Sequence, residues 1–228
     1  IGVVKRIRGS LRFWVRFRGI LDHAGATPMG SEYRKDDNLP MAHMMVELDG
    51  LLRQYNGETE TIVQTFGSIN SHGNHNQRFP LIHENAVSKV SGFAYFSLEI
   101  RSCSAELGHA YYEQAKALIK KLADEFQVEV ELELISESSG IPQLDEVIQQ
   151  RIETACLNQN RSFKYLASGA WHDVAVFSHQ HKSDGSSIPT GMIFIPCRAG
   201  ISHSAAEYSS AEQIAAGASV LAEVMLSI

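Results

Sequence analysis

The sequence predicts an α+β chain in two parts: an antiparallel sheet with two helices over residues 10–137, then a segment of α/β character over residues 138–228. Three observations lead there. Four stretches within residues 10–137 alternate apolar and polar side chains with the period of strands that bury one face. Two stretches between them carry apolar residues at helical spacing. After Ser138–Pro142 the pattern changes to helices alternating with short strands.

The opening IGVVKRIRGS enters directly into strand-like sequence at Ile1, without a Met, and residues 1–9 read as the end of a preceding catalytic segment or linker, so the chain is expected to be a fragment. From Ser10 to Ile20, Leu11, Phe13, Val15 and Phe17 alternate with Arg12, Trp14, Arg16 and Arg18. This is a strand whose basic face reads as solvated. Asn38 and Pro40 open a helix with Met41, Met44, Met45, Leu48, Leu51, Leu52 and Tyr55 on one stripe. The methionines read as core filling.

Thr61–Ile69 is the second strand, and Ser71–His83 reads as a polar loop in which His72, His75 and His83 are loop residues rather than metal ligands. Ala94, Phe96, Leu98 and Ile100 then alternate with Tyr95, Ser97, Glu99 and Arg101, which leaves Arg101 off the core face. Ser104 caps a helix through Leu107, Tyr111, Ala115, Leu118 and Leu122, with Lys120 and Lys121 placed in its last turn. Val128, Val130, Leu132 and Leu134 alternate with Glu129, Glu131 and Glu133 in a fourth strand with a solvated acidic face. Strand, helix, strand, strand, helix, strand is the order of a ferredoxin-like unit. Beyond it the sequence predicts a helix at Gln143–Asn158, a strand near Phe163–Leu166, a helix after Gly169, a buried strand at Gly191–Pro196 and a helix from Ser210. Two strands are too few for a doubly covered sheet, so its missing strands are expected upstream of Ile1.

Composition narrows the function. With 44% hydrophobic and 20% charged residues the chain can bury a core. A formal charge of -6 repels phosphate backbones and anionic lipid, so neither nucleic acid nor membrane is an expected partner. Cys103, Cys156 and Cys197 are scattered and odd in number, which argues against a disulfide framework or thiolate metal site. No membrane-length apolar run or signal-peptide pattern is present, and a cytoplasmic location is expected.

Polar groups gather with glycine or proline in DHAGATPM (Asp22–Met29), SGAWHDV (Ser168–Val174) and PTGMIFIPCRAGISHSAAEYS (Pro189–Ser209), all at element ends. Singly these are unspecific, and His203 on its glycine-bearing loop is a candidate zinc ligand. Together and in order they resemble the di-zinc amidohydrolases that include N-carbamoyl-L-amino-acid hydrolase, β-ureidopropionase and allantoate amidohydrolase. The likeness lies in His23–Met29, Phe96–Arg101, Ser168–Asp173 and Gly200–Glu207.

The resemblance implies the C-terminal part of a zinc-peptidase-like α/β catalytic domain interrupted by a ferredoxin-like lid that makes a homodimer. By matched position, His203 would be a metal ligand, His23 would stabilise the oxyanion across the dimer, Arg101 would grip the substrate carboxylate, and Gly169 and His172 would line the pocket. Ser88 stands where the family has an Asn that helps the Arg, and Trp171 where it has a Gly. The parent enzyme would use two divalent metal ions, zinc or manganese, to hydrolyse a small carboxylate-bearing carbamoyl or ureido substrate. Most ligands would lie before Ile1, so no complete metal pair and no activity are expected of this chain alone. A non-catalytic dimerisation or small-ligand binding module is the rival, and ordinary structural histidines in an unrelated α/β protein are the third reading.

Overall fold

A computed structural model of the chain describes residues 1–30, 32–57, 61–70, 84–138 and 141–227 and shows a mixed α/β fold. His72, His75 and His83 lie outside the described residues. In chain order the strands are β1 (Gly2–Ile7), β2 (Gly9–Arg18), β3 (Asp22–His23), β4 (Ile62–Ile69), β5 (Lys89–Val90), β6 (Phe93–Ser102), β7 (Glu129–Glu137), β8 (Lys164–Ser168) and β9 (Ile193–Phe194). The helices are α1 (Asn38–Asn56), α2 (Ala105–Phe126), α3 (Glu146–Asn158), α4 (Asp173–Ser178) and α5 (Ala211–Leu226). These elements form two compact units, Gly9–Ser139 and Ile1–Arg8 with Gly140–Ile228.

In the first unit β4, β6, β2 and β7 lie in that order, every neighbouring pair antiparallel. Alternation decides the core. Leu11, Phe13, Val15 and Phe17 of β2 and Ala94, Phe96, Leu98 and Ile100 of β6 face Met41, Met44 and Leu48 of α1 and Tyr111, Ala115 and Ile119 of α2. Ser104 caps α2 by accepting from the Leu107 amide at 3.2 Å. That helix runs on to Phe126, so Lys120 and Lys121 lie before its last turn, contrary to expectation. Leu134 is half exposed rather than buried, because β7 is an edge strand.

On the opposite face of this sheet Arg18, Glu129 and Glu131 are exposed, as expected of solvated charge rows, but charges of those rows also pair. Arg12 Nε donates to Glu99 at 2.6 Å, and Arg16 meets Glu131 at 3.4 Å and also Glu133. The basic strand lies between the two acid-bearing ones, so charges meet across the ladder. Trp14 is buried there against Phe93 and Tyr95. Past the sheet, β3 and β5 form a two-residue ribbon, Asp22 opposite Val90 and His23 opposite Lys89, in sequence that carries no strand pattern.

The second unit is built on a three-stranded sheet in the order β8, β1, β9, with β1 parallel to β8 and antiparallel to β9. The opening residues are thus its central strand, with Val3, Val4 and Ile7 fully buried. Ile152, Ala155 and Cys156 of α3 and Val220 and Val224 of α5 pack on Val3. Ser210 starts α5 with a capping box, its hydroxyl accepting from the Gln213 amide and the Gln213 side chain from the Ser210 amide. The expected strand at Gly191–Pro196 shrinks to Ile193–Phe194, and neither residue is fully buried.

Candidate functional site

The first unit carries His23, Ser88 and Arg101. His23 is exposed at the end of the β3 ribbon, and a compact set of hydrogen bonds holds it. Its Nδ1 accepts from the amides of Gly25 and Ala26, both at 3.1 Å. Its carbonyl accepts from the Thr27 hydroxyl at 2.9 Å and the Thr27 amide at 3.1 Å. The Asp22 carboxylate accepts from the His23 amide at 2.7 Å, which holds that carboxyl below its usual range. Arg34 Nη2 donates to the carbonyls of Ala24 at 2.7 Å and Thr27 at 2.9 Å.

Ser88 borders this loop, its carbonyl accepting from the Ala24 amide at 3.0 Å. Arg101 is elsewhere. In the ladder of β2 and β6, Arg18 faces Phe93 at the end leading to His23, whereas Ser10 faces Arg101 at the other end. Phe93 and Arg101 lie eight positions apart along the strand, about 26 Å at the rise of an extended chain. One copy of the chain therefore brings Ser88 to His23 and neither of them to Arg101.

Arg101 is three-quarters buried in its side chain and donates to Glu99 at 3.0 Å. Glu99 is partly desolvated, which alone would raise its pKa, but the hydrogen bonds from Arg101 and Arg12 prevail and hold it below the usual carboxylate range. An ionised Glu99 thus orients the guanidinium before any ligand arrives.

The second unit carries Gly169, His172 and His203. At the end of β8 the buried Ser168 hydroxyl lies 3.0 Å from His172 Nε2 and 2.9 Å from the Ala170 carbonyl. It also accepts from the Ala170 amide at 3.2 Å, which ties the Gly169 turn together. His172 is the N-cap of α4 without a capping bond from its side chain, and its ring meets Phe194 edge-on at 5.6 Å. Phe194 belongs to the strand that leads into the His203 loop, so this contact links the two segments. Trp171 is about one-third exposed beside them.

His203 sits exposed on a loop closed at its base. The Arg198 amide donates to the Tyr208 carbonyl at 2.8 Å, the Arg198 guanidinium lies 4.4 Å over the Tyr208 ring, and the Ser209 hydroxyl donates to the Pro196 carbonyl at 2.9 Å. Within it Ala199 (φ +53°), Gly200 (φ +68°) and His203 (φ +57°) occupy the left-handed region. Two of these carry side chains, and strain of that kind concentrates at functional sites. The His203 amide donates to Glu207 at 3.2 Å, so the carboxylate supports the turn. Among the described residues no group of three or more His, Cys, Asp or Glu side chains is arranged to hold a metal ion. No helix among them is long and apolar enough to cross a membrane.

Reading the sequence singled out the histidines but not Arg34, Glu99 or Ser168, the groups that hold His23, Arg101 and His172. Glu99 had a signal: two residues before Arg101, it shares that residue's face of the strand. Arg34 had none, because its partners are carbonyls whose directions depend on the loop conformation.

Residues 14–227 match the model of Peptidase family M20/M25/M40. The chain is 28% identical over 225 residues to an allantoate amidohydrolase of Escherichia coli, which covers 97% of this chain and 48% of the relative. Against an N-carbamoyl-L-amino acid amidohydrolase of Geobacillus stearothermophilus the identity is 29%, covering 97% of this chain and 48% of the relative. A ureidoglycolate hydrolase of Arabidopsis thaliana is 27% identical, covering 97% and 42%. Among solved structures, AtUAH in complex with glyoxylate superposes with a TM-score of 0.80 at 25% identity, over 98% of this chain and 48% of that one. The chain spans about half the length of the curated relatives it matches.

Proposed function

The chain belongs to Peptidase family M20/M25/M40, and from that premise we propose that it is part of a metal-dependent amidohydrolase acting on the carbamoyl or ureido C–N bond of a small carboxylate-bearing substrate. The observation that carries this reading is the likeness, over nearly the whole chain, to relatives named for allantoate, N-carbamoyl amino acids and ureidoglycolate. We read Gly9–Ser139 as a ferredoxin-like lid and dimerisation domain, supported by its sheet order β4, β6, β2, β7 and its two helices. Ile1–Arg8 with Gly140–Ile228 would be part of the catalytic domain.

In this reading the Arg101 guanidinium binds the substrate carboxylate as a planar fork, already oriented by Glu99. His23 donates a hydrogen bond to the oxygen that gains charge as the carbonyl carbon becomes tetrahedral, a contribution of roughly 3–4 kcal/mol for one donor. The separation of the two residues within one copy supports a homodimer in which His23 of the partner subunit completes the site. Gly169 and His172 line the pocket, the ring braced by Ser168 and Phe194.

Divalent metal use in general goes with this family. His203 would serve as one ligand, but the residues described here do not make up a metal centre, since zinc takes three or more protein ligands. The remaining ligands of a two-ion centre would come from polypeptide corresponding to the other half of the relatives.

The test is release of ammonia or free amino acid from N-carbamoyl amino acids, allantoate and ureidoglycolate by a protein spanning the full length of the relatives. Turnover is expected with zinc or manganese and not after chelation, and the 228-residue chain alone is expected to give none. Turnover that survives chelation, or that the 228 residues perform unaided, would overturn the reading. A second reading, a binding or dimerisation module without catalysis, is favoured by Ser88 and Trp171 at positions where the resemblance expects Asn and Gly. Saturable substrate binding without turnover at full length would establish it.

A further inference from the structure

The loop around His23 determines which ring nitrogen can donate. Backbone amides are fixed donors, and two of them approach Nδ1 at 3.1 Å, the Gly25 amide and the Ala26 amide, the latter shared with the His23 carbonyl at 3.2 Å. Nδ1 must therefore offer its lone pair, and the single proton of the neutral imidazole must sit on Nε2. Exposed histidines ordinarily interconvert between tautomers in water; this one is exposed and yet has one nitrogen satisfied by its own chain.

The two amides are held in turn. On one side the Asp22 carboxylate takes the His23 amide, and on the other Thr27 bonds back to the His23 carbonyl. Arg34 reaches in from the next turn and donates to Ala24 and Thr27, the residues that bracket Gly25 and Ala26. Without that guanidinium the Ala24 and Thr27 carbonyls lose their shared donor, and the segment between them keeps only its bonds to Ser88 and to the His23 carbonyl. Nothing else in the described structure joins Ala24 and Thr27 through a single side chain.

We propose that Arg34 is a positioning residue for His23: by bridging the Ala24 and Thr27 carbonyls it keeps the Gly25 and Ala26 amides on Nδ1, so that the ring meets substrate as an Nε2–H donor. The catalytic meaning of this rests on the reading of His23 as oxyanion donor, whereas the tautomer follows from the hydrogen bonds alone. Arg34 does not touch substrate in this scheme. It acts through the loop.

Nitrogen-15 NMR of the uniformly labelled 228-residue chain tests it, with the His23 ring signals identified by their loss in His23→Gln. At a pH where the ring is neutral, a pyridine-type Nδ1 and a pyrrole-type Nε2 are expected. Arg34→Gln should give a mixture of tautomers and speed exchange of the Gly25 and Ala26 amides by about tenfold, the change expected for losing one hydrogen bond, while the Leu98 amide in β6 stays protected. Should Leu98 lose protection in that variant, Arg34→Lys carries the same expectation with a smaller change. A proton on Nδ1 in the unaltered chain, or a folded Arg34 variant with unchanged tautomer and exchange, would overturn the proposal. Hydrolysis is no part of this readout, so failure of the hydrolase reading would leave these spectra as expected.

Discussion

Asp37 is fully buried at the start of α1, and neither of its carboxylate oxygens meets a hydrogen-bond donor. The nearby Ser91 hydroxyl is directed at the Phe93 carbonyl, 3.4 Å away. Burial therefore pushes this carboxyl up to about 6, with Asp36 adding like charge and polar contacts at Ser91 and Gly19 offsetting only part. The folded chain holds a proton here that the unfolded chain releases near pH 4, so stability contributed below that point is lost as pH rises through about 6. Asp37→Asn should be more stable than the unaltered chain by on the order of 2–3 kcal/mol at pH 7 and show little advantage at pH 4. Urea unfolding of both proteins across that range checks it. No sequence pattern announced Asp37, since the side chain of a helix N-cap is normally exposed and bonded to an amide of the first turn, and this side chain is neither.

Among the elements, β2, β6 and α2 were legible because their information is local: period-two alternation and a helical stripe each specify one buried face. Leu98, fully buried in β6 among residues of α1, α2 and β2, shows how much rests on that face. Leu98→Ala should cost about 2–5 kcal/mol, measured as a fall in the denaturation midpoint with the slope unchanged. What the alternation could not supply was pairing. The meeting of Arg12 and Arg16 with glutamates on both flanking strands depends on which strand lies in the middle, and that is decided by contacts 87 residues apart for Arg12 and Glu99 and 117 for Arg16 and Glu133. The ribbon of β3 and β5 was invisible for a related reason: two residues are too short to show a period.

Across the whole molecule, the least legible feature was the role of residues 2–7, which form the middle of a sheet whose other strands begin more than 150 residues later. The candidate site was legible as residue types in motif order, but its geometry was not: no spacing rule reveals that β6 runs the length of the sheet between the His23 end and Arg101. That strand has a genetic consequence. If each catalytic centre draws its arginine from one chain and its histidine from the other, two separately dead variants, His23→Ala and Arg101→Ala at full length, should rescue each other when dissociated, mixed and reassembled. Random pairing makes half of the assemblies hybrid, each with one intact and one doubly defective centre, so about a quarter of the unaltered activity should return. A mixture that stays dead would count against a centre shared between two chains.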